Sequence, residues 1–223
     1  MNRRISTVLA AAVLVTVPVG MRGLGGLSSA VPTSAPRAEA AAGGQRFLIV
    51  PGESQVIYRV GETLISEGNR FNVAVGITRA VRGEVVVDRT NPAASRVGTI
   101  SVDISQFQSD SSRRDNAIRG RWLESSRYPI VEFVPTRIDG LPAQYVEGRD
   151  IAVRISGNLK VRTEVQPTTF EATVRLAGNE LRGTASAKIL MTDFGFEPPS
   201  ILGILRAQNE VEVEFRFVAR PAP

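Results

Sequence analysis

The 223-residue chain has no histidine and no cysteine, and aromatic residues make up only 6% of it. Without imidazole there is no Ser-His-Asp or Cys-His relay, no His-ligated zinc and no His-ligated haem. Without a thiol there is no thiolate nucleophile, no iron–sulfur ligation and no disulfide. Any chemistry is left to carboxylates, Lys, Tyr, hydroxyls and backbone. A strong excess of one charge is also missing: 27 Lys+Arg face 22 Asp+Glu, and four of the bases (Arg3, Arg4, Arg22, Arg37) but only one acid (Glu39) precede Ala41. The isoelectric point near 10.3 reflects arginines, which do not titrate in range, rather than a basic face. No nucleic-acid partner is inferred.

Only one long uncharged apolar run is present, and it lies at the N-terminus. Met1 to Arg4 is positive, residues 5–21 (ISTVLAAAVLVTVPVGM) carry no charge, and residues 28–44 are small, polar or Pro. This pattern reads as an export signal with small-residue cleavage sites at Ala38-Glu39-Ala40 or Ser28-Ser29-Ala30. An uncleaved anchor is the alternative, at the lower limit of bilayer-spanning length and with Pro18 inside it. Residues 1–40 are assigned to a signal peptide and spacer, and residues 45–220 to one domain. That domain is expected outside the cytoplasm, in a periplasm or the extracellular space.

The body alternates with period two in short runs separated by Gly, Pro, Asn and Asp, the pattern of half-buried antiparallel strands. Val56, Tyr58 and Val60 form one run, Val85 and Val87 a second, and Ile100, Val102 and Ile104 a third. Val131 and Phe133 follow. Ile151, Val153, Ile155, Leu159 and Val161 make a long strand expected to bend or bulge at Gly157. Phe170 to Leu176, Leu181 to Ile189 and Val211 to Phe217 complete about eight strands, with Gly178-Asn179 as a hairpin turn. Such a series favours a closed antiparallel barrel or a sandwich. Residues 115–123 break the pattern: Ile118 and Trp122 lie four apart, and Asp115 is a suitable N-cap for a short helix.

Several stretches occur in an order that is similar to the YceI family, bacterial lipocalin-like proteins that bind polyisoprenoids. They are Ser54-Gln55-Val56-Ile57-Tyr58, residues 80–88 (AVRGEVVVD), and Ile100-Ser101-Val102-Asp103. The most specific is Arg113-Arg114-Asp115-Asn116, then Trp122-Leu123, then residues 128–133 (YPIVEF). Residues 155–161 (ISGNLKV), 191–196 (MTDFGF) and the closing run from Val211 to Ala219 follow. The chain departs from the pattern where many members read His-Ser, here Glu53-Ser54, and where a "G-v-T-K/R" turn is expected, here residues 162–165 (RTEV). Roles of the family's histidines therefore do not carry over.

The resemblance implies an all-β fold, an extended eight-stranded antiparallel lipocalin-like barrel with a short helix near its mouth. Its ligand would be a long apolar isoprenoid, a quinone or a polyprenyl chain. The inward faces expected to line the cavity mix large residues (Ile100, Val102, Phe133, Ile155, Phe170, Phe215, Phe217) with small ones (Ala172, Ala185, Ala187). A barrel of this size holds either side chains or one slender ligand. Periodicity alone favours a packed core, so the tunnel rests on the resemblance. Arg113 and Arg114 are candidate polar contacts at the mouth; the alternative leaves them solvated or ion-paired beside a capping Asp115. No catalytic residue, metal ligand set or cofactor is assigned.

Three further features carry bland readings. Asp193-Phe194-Gly195 is a turn, since no Gly-rich loop, strand Lys or H-R-D accompanies it. Glu210, Glu212 and Glu214 share one strand face and read as a solvated outer surface. The apolar stretch from Ile201 to Leu205 reads as a buried connection, with an exposed lip beside the cavity opening as the alternative. A lip would suit transient contact with a membrane or an envelope protein, which is the alternative function: a packed barrel with a surface partner site.

Overall fold

The computed structural model describes residues 44–223, so the signal and spacer assigned to residues 1–40 lie outside the described residues. Fourteen strands are present: β1 (Gln45–Ile49), β2 (Gln55–Leu64), β3 (Arg70–Thr78), β4 (Val81–Arg82), β5 (Glu84–Val87), β6 (Arg96–Val97), β7 (Ile100–Asp103), β8 (Gln108–Ser109), β9 (Ile130–Asp139), β10 (Asp150–Val161), β11 (Glu164–Ala177), β12 (Glu180–Leu190), β13 (Ser200–Ile201) and β14 (Leu205–Pro221). One short helix, α1 (Ser112–Ala117), continues into a π-turn over Ile118–Trp122.

The pairing turns these fourteen pieces into a ring of eight. One edge of β14 pairs with β12. Its other edge pairs first with β2 and then with β1, so these two form one interrupted strand. That strand pairs in turn with β3 and β5, again two parts of one interrupted strand that includes β4. On the far side β8 meets β3, β7 meets β4 and β6 meets β5. The ladder then runs from β7 through β9, β10 and β11 to β12. Every pair is antiparallel and the circuit closes, which is the expected eight-stranded barrel. β13 only doubles back on the start of β14.

Alternation places the apolar residues inside. Along β10, Val153, Leu159 and Val161 are buried while Arg154, Asn158 and Lys160 are exposed. Each such aliphatic side chain contributes roughly 1.5–3 kcal/mol when fully buried, and the same pattern recurs on β11 and β12. Where a strand is interrupted, side chains take over the lost ladder bonds. Ser54, fully buried between β1 and β2, donates through Oγ to the Val218 carbonyl at 3.2 Å and accepts from the Val218 N–H at 3.1 Å. Thr78 Oγ1 donates to the Asp103 carbonyl at 3.2 Å and accepts from Ala80 N–H.

Strand β3 departs from the expected pattern. Its apolar residues Phe71, Val73, Val75 and Ile77 all face solvent, while Ala74, Gly76 and Thr78 are turned inward. The inward positions are small because β2 sends large groups across them: a Cβ on Gly76 would lie 2.2 Å from Tyr58 Cε1. The helix also starts earlier than expected. Ser111, not Asp115, is its N-cap, accepting from Arg114 N–H, and Asp115 instead accepts from the N–H and hydroxyl of Ser109.

The expected irregularity at Gly157 is a register shift against β9, with Thr136 as the extra residue next to Pro135. A Cβ at Gly157 would lie 2.4 Å from the Val134 carbonyl oxygen and 2.8 Å from Pro135 Cα, and neither backbone atom yields easily. Gly157→Ala is expected to destabilise the barrel by about 1–3 kcal/mol, read as a lower urea midpoint with an unchanged slope; an unchanged midpoint would refute this account of the bulge.

Candidate ligand cavity

The ring encloses a cavity of about 500 Å³, within the range of small-molecule sites. Its wall is apolar along the strands and at both ends. At one end lie Ala117, Ile118, Trp122 and Leu123 from the helical segment, together with Ile201, Ile204 and Leu205 from the β13–β14 hairpin. At the other lie Leu141, Pro142 and Tyr145, and Pro92 and Val97.

Ile100, Val102, Phe133, Ile155, Phe170, Ala185, Phe215 and Phe217 all line this cavity. Phe133 and Phe170 meet edge to face at 4.9 Å between centroids, and Phe215 and Phe217 stack at 5.3 Å. Ala172 and Ala187 do not reach it, although both are buried. Ala172 faces Ala185 across the β11–β12 ladder and sits between Phe170 and Val174, whose longer side chains form the wall. Ala187 faces Val213, whose longer side chain lines the cavity in its place. Tyr58, Glu62, Leu141, Tyr145 and Met191 were not anticipated: the first two alternate correctly on β2, while the others sit in turns, where no periodicity marks a face.

The apolar hairpin is not simply buried. Ile201, Ile204 and Leu205 line the cavity, but Leu202 is 99% exposed and Ile204 41% exposed. Gly203, with φ of 71°, turns the chain so tightly that Leu202 projects outward. Beside it, Ile65 and Ser66 donate their N–H groups to the Ile204 carbonyl. The result is an exposed apolar lip at the helix end of the barrel.

Arg113 and Arg114 both border the cavity but differ in surroundings. Arg113 is exposed at the rim. Arg114 reaches inward to Glu62 Oε1 at 3.0 Å and is also paired with Asp110. Glu62 is 4% exposed and accepts a second bond from Asn72 Nδ2 at 2.7 Å. Tyr58 stands in the same corner, its ring edge-on to Phe107 at 5.1 Å. Burial, with the Asp115 carboxylate next in weight, pushes the Tyr58 phenol up to about 12.

Other carboxylates are engaged in structure. Asp88 accepts from the N–H and hydroxyl of Thr90 and the N–H of Asn91, and the Thr90 hydroxyl above all holds it below the usual carboxylate range. Asp103 accepts from Ser105, and Glu84 pairs with Arg46. Among the described residues no group of three potential metal ligands occurs. Glu210, Glu212 and Glu214 do lie on the outer face, but not simply in water. Lys188 meets Glu210 at 2.8 Å, and Arg59 lies 3.6 Å from Glu212 and 2.6 Å from Glu214. Glu214 is buried beneath Arg59 and Arg216.

A closed antiparallel barrel around an apolar cavity places the protein among lipocalin-like barrels. The chain belongs to the YceI family: the model of the YceI-like domain matches residues 49–219. No curated protein sequence matches it. Among solved structures it is similar to BcnA of Burkholderia cenocepacia, at 18% identity and a TM-score of 0.59, covering 76% of this chain and 98% of that one. It is also similar to a polyisoprenoid binding domain from Saccharophagus degradans implicated in plant cell wall breakdown, at 11% identity and TM-score 0.60, covering 79% and 98%. A YceI protein of Campylobacter jejuni follows at 13% and 0.53, covering 66% and 85%. At these identities the structural likeness is one of fold.

The Tyr58 environment sets a pH dependence. Its ordinary value is 10.0 and its folded value about 12, so between these pH values the unfolded chain has released the phenolic proton and the folded chain has not. Stability contributed by this group is intact below pH about 10 and falls as pH rises towards 12. Tyr58→Phe is expected to remove one tyrosinate from the late step of an absorbance titration and to flatten the alkaline loss of stability. An unchanged titration would show that the phenol is not held in this polar corner.

Proposed function

We propose that the protein is a non-catalytic carrier that holds the long apolar tail of an isoprenoid lipid, a quinone or polyprenyl chain, inside its barrel, and that it works outside the cytoplasm. The observation that carries this reading is the apolar cavity of about 500 Å³ within the closed ring. Burial contributes about 0.8 kcal/mol per CH₂, so a slender hydrocarbon chain binds tightly there without directed polar contacts. Membership of the YceI family, and the likeness in fold to a polyisoprenoid binding domain, support the ligand class. The N-terminal charge pattern supports export.

A second reading has an observation of its own. The exposed Leu202 and the outward Phe71–Ile77 stripe suit contact with an envelope protein or a membrane surface, whatever the cavity holds.

Native mass spectrometry of the exported full chain tests the first reading. A discrete apolar adduct, released on denaturation and identified as an isoprenoid, is expected. An apo mass, together with failure of an isoprenoid to displace a fluorescent probe, would overturn it. Ala185→Trp fills the wall from within and is expected to abolish the adduct while costing about 1–3 kcal/mol of stability. Leu202→Ser is expected to leave the adduct intact; loss of a co-purifying envelope protein in that variant would favour the second reading.

A further inference from the structure

Exposed apolar side chains are shared unevenly between the two ends of the barrel. At the end built from the turns around Asn91, Tyr145 and Gly178, Val146 is the only large apolar residue exposed among the described residues. At the helix end Leu202, Ile204, Ile65 and Phe71 are exposed together. They are neighbours: the Ile204 carbonyl accepts from the N–H groups of Ile65 and Ser66 at 2.8 and 3.2 Å, and Thr63 stands in register between Arg206 and Phe71. No charge interrupts the chain from Ile201 to Leu205.

Two features of this lip fit a lipid surface. The first is continuity: Ile201, Ile204 and Leu205 also line the cavity, so one apolar surface runs from the outer tip to the interior. A protein seated there would close that route. A bilayer would extend the same apolar phase, and a hydrocarbon tail would pass between the two without being exposed to water. The second is the flanking charge. Arg206, outward beside the hairpin, and Arg113, at the rim, are exposed and carry no ion pair among the described residues. Both are free to meet headgroup phosphates. Glu67 in the adjoining turn is held by Arg70, while Glu197 is exposed on the approach to the hairpin. With both signs present, the apolar tip and not a net positive field sets the affinity.

We propose that this lip docks on a phospholipid bilayer, with Leu202 and Ile204 entering the interface and Arg206 and Arg113 meeting phosphates. The helix end of the cavity is thereby set against the membrane with which it exchanges its lipid. The proposal rests on the isoprenoid reading above and adds where the exchange takes place.

The chain has no cysteine, so Leu202→Cys and Val146→Cys each accept a single polarity-sensitive fluorophore. Both positions are exposed, and neither change disturbs the core. With the exported full chain and vesicles of phosphatidylethanolamine and phosphatidylglycerol, the label at 202 is expected to shift to shorter wavelength and to be quenched by brominated lipid tails. The label at 146 is expected to do neither. Leu202→Asp is expected to slow release of a bound isoprenoid to these vesicles about tenfold or more, and Val146→Asp to leave it unchanged. A silent label at 202, equal responses at both positions, or release unaffected by Leu202→Asp would overturn the docking surface. Capture of an envelope protein through Leu202, with no response to protein-free vesicles, would overturn it in favour of a protein partner. In each of these cases an isoprenoid adduct retained in native mass spectrometry leaves the carrier reading standing. An apo protein whose label at 202 still responds would overturn the carrier reading and keep the docking surface.

Discussion

Pairing between the first and last strands is the contact on which everything else depends. β14 carries β2 and then β1 along one edge, and without those bonds the sheet would be an open curl with two unpaired margins. Closure gives every strand of the ring a neighbour on both sides, although the seam of β3, β4 and β5 with β8, β7 and β6 has only two register pairs at each contact. It also fixes the circumference, and hence how much space the inward side chains must fill. Three of the eight strands are interrupted, and buried Ser54 and Thr78 bridge two of the breaks. The ring closes although no single one of these strands is regular from end to end.

Once the circumference is fixed, the inward residues decide between a packed core and a cavity. Alanine and glycine at inward positions, set against aromatic pairs such as Phe133 with Phe170, leave space that the rings cannot fill. The outside is held differently. Arginine and carboxylate pairs run across neighbouring strands, among them Arg175 with Asp150 at 2.6 Å and Arg220 with Glu53 at 2.7 Å. Exposed pairs of this kind contribute little individually, and the barrel owes its stability chiefly to the apolar inner face.

The strands were legible in β2, β5, β7, β9 to β12 and most of β14, where alternating apolar residues face inward. Strand β3 escaped notice because its alternation is reversed: a run with Phe71, Val73, Val75 and Ile77 carries no sign of which side meets water. The cavity wall was legible in its large residues. It was not legible at Ala172 and Ala187, because a methyl group's reach depends on neighbours that only the pairing reveals. The helix position was readable from Ile118 and Trp122, which both reach the cavity, but its cap was not, since Ser111 and Asp115 are both good capping residues. The pairing of Arg114 with Glu62, separated by 52 residues, has no local signal at all.

Strand β3 has one more consequence, for how the barrel breathes. Its seam with β8 consists of two register pairs, Gly76 with Ser109 and Ile77 with Gln108. On its outer side it buries none of its large apolar residues, so little hydrophobic free energy resists its separation. Local opening free energies follow such differences in burial and pairing. Among the strand seams of the wall, the one where β3, β4 and β5 meet β8, β7 and β6 is held by the fewest register pairs. A sideways parting of β3 from β8 would expose the interior along its length, so that a long flexible chain need not be threaded end first.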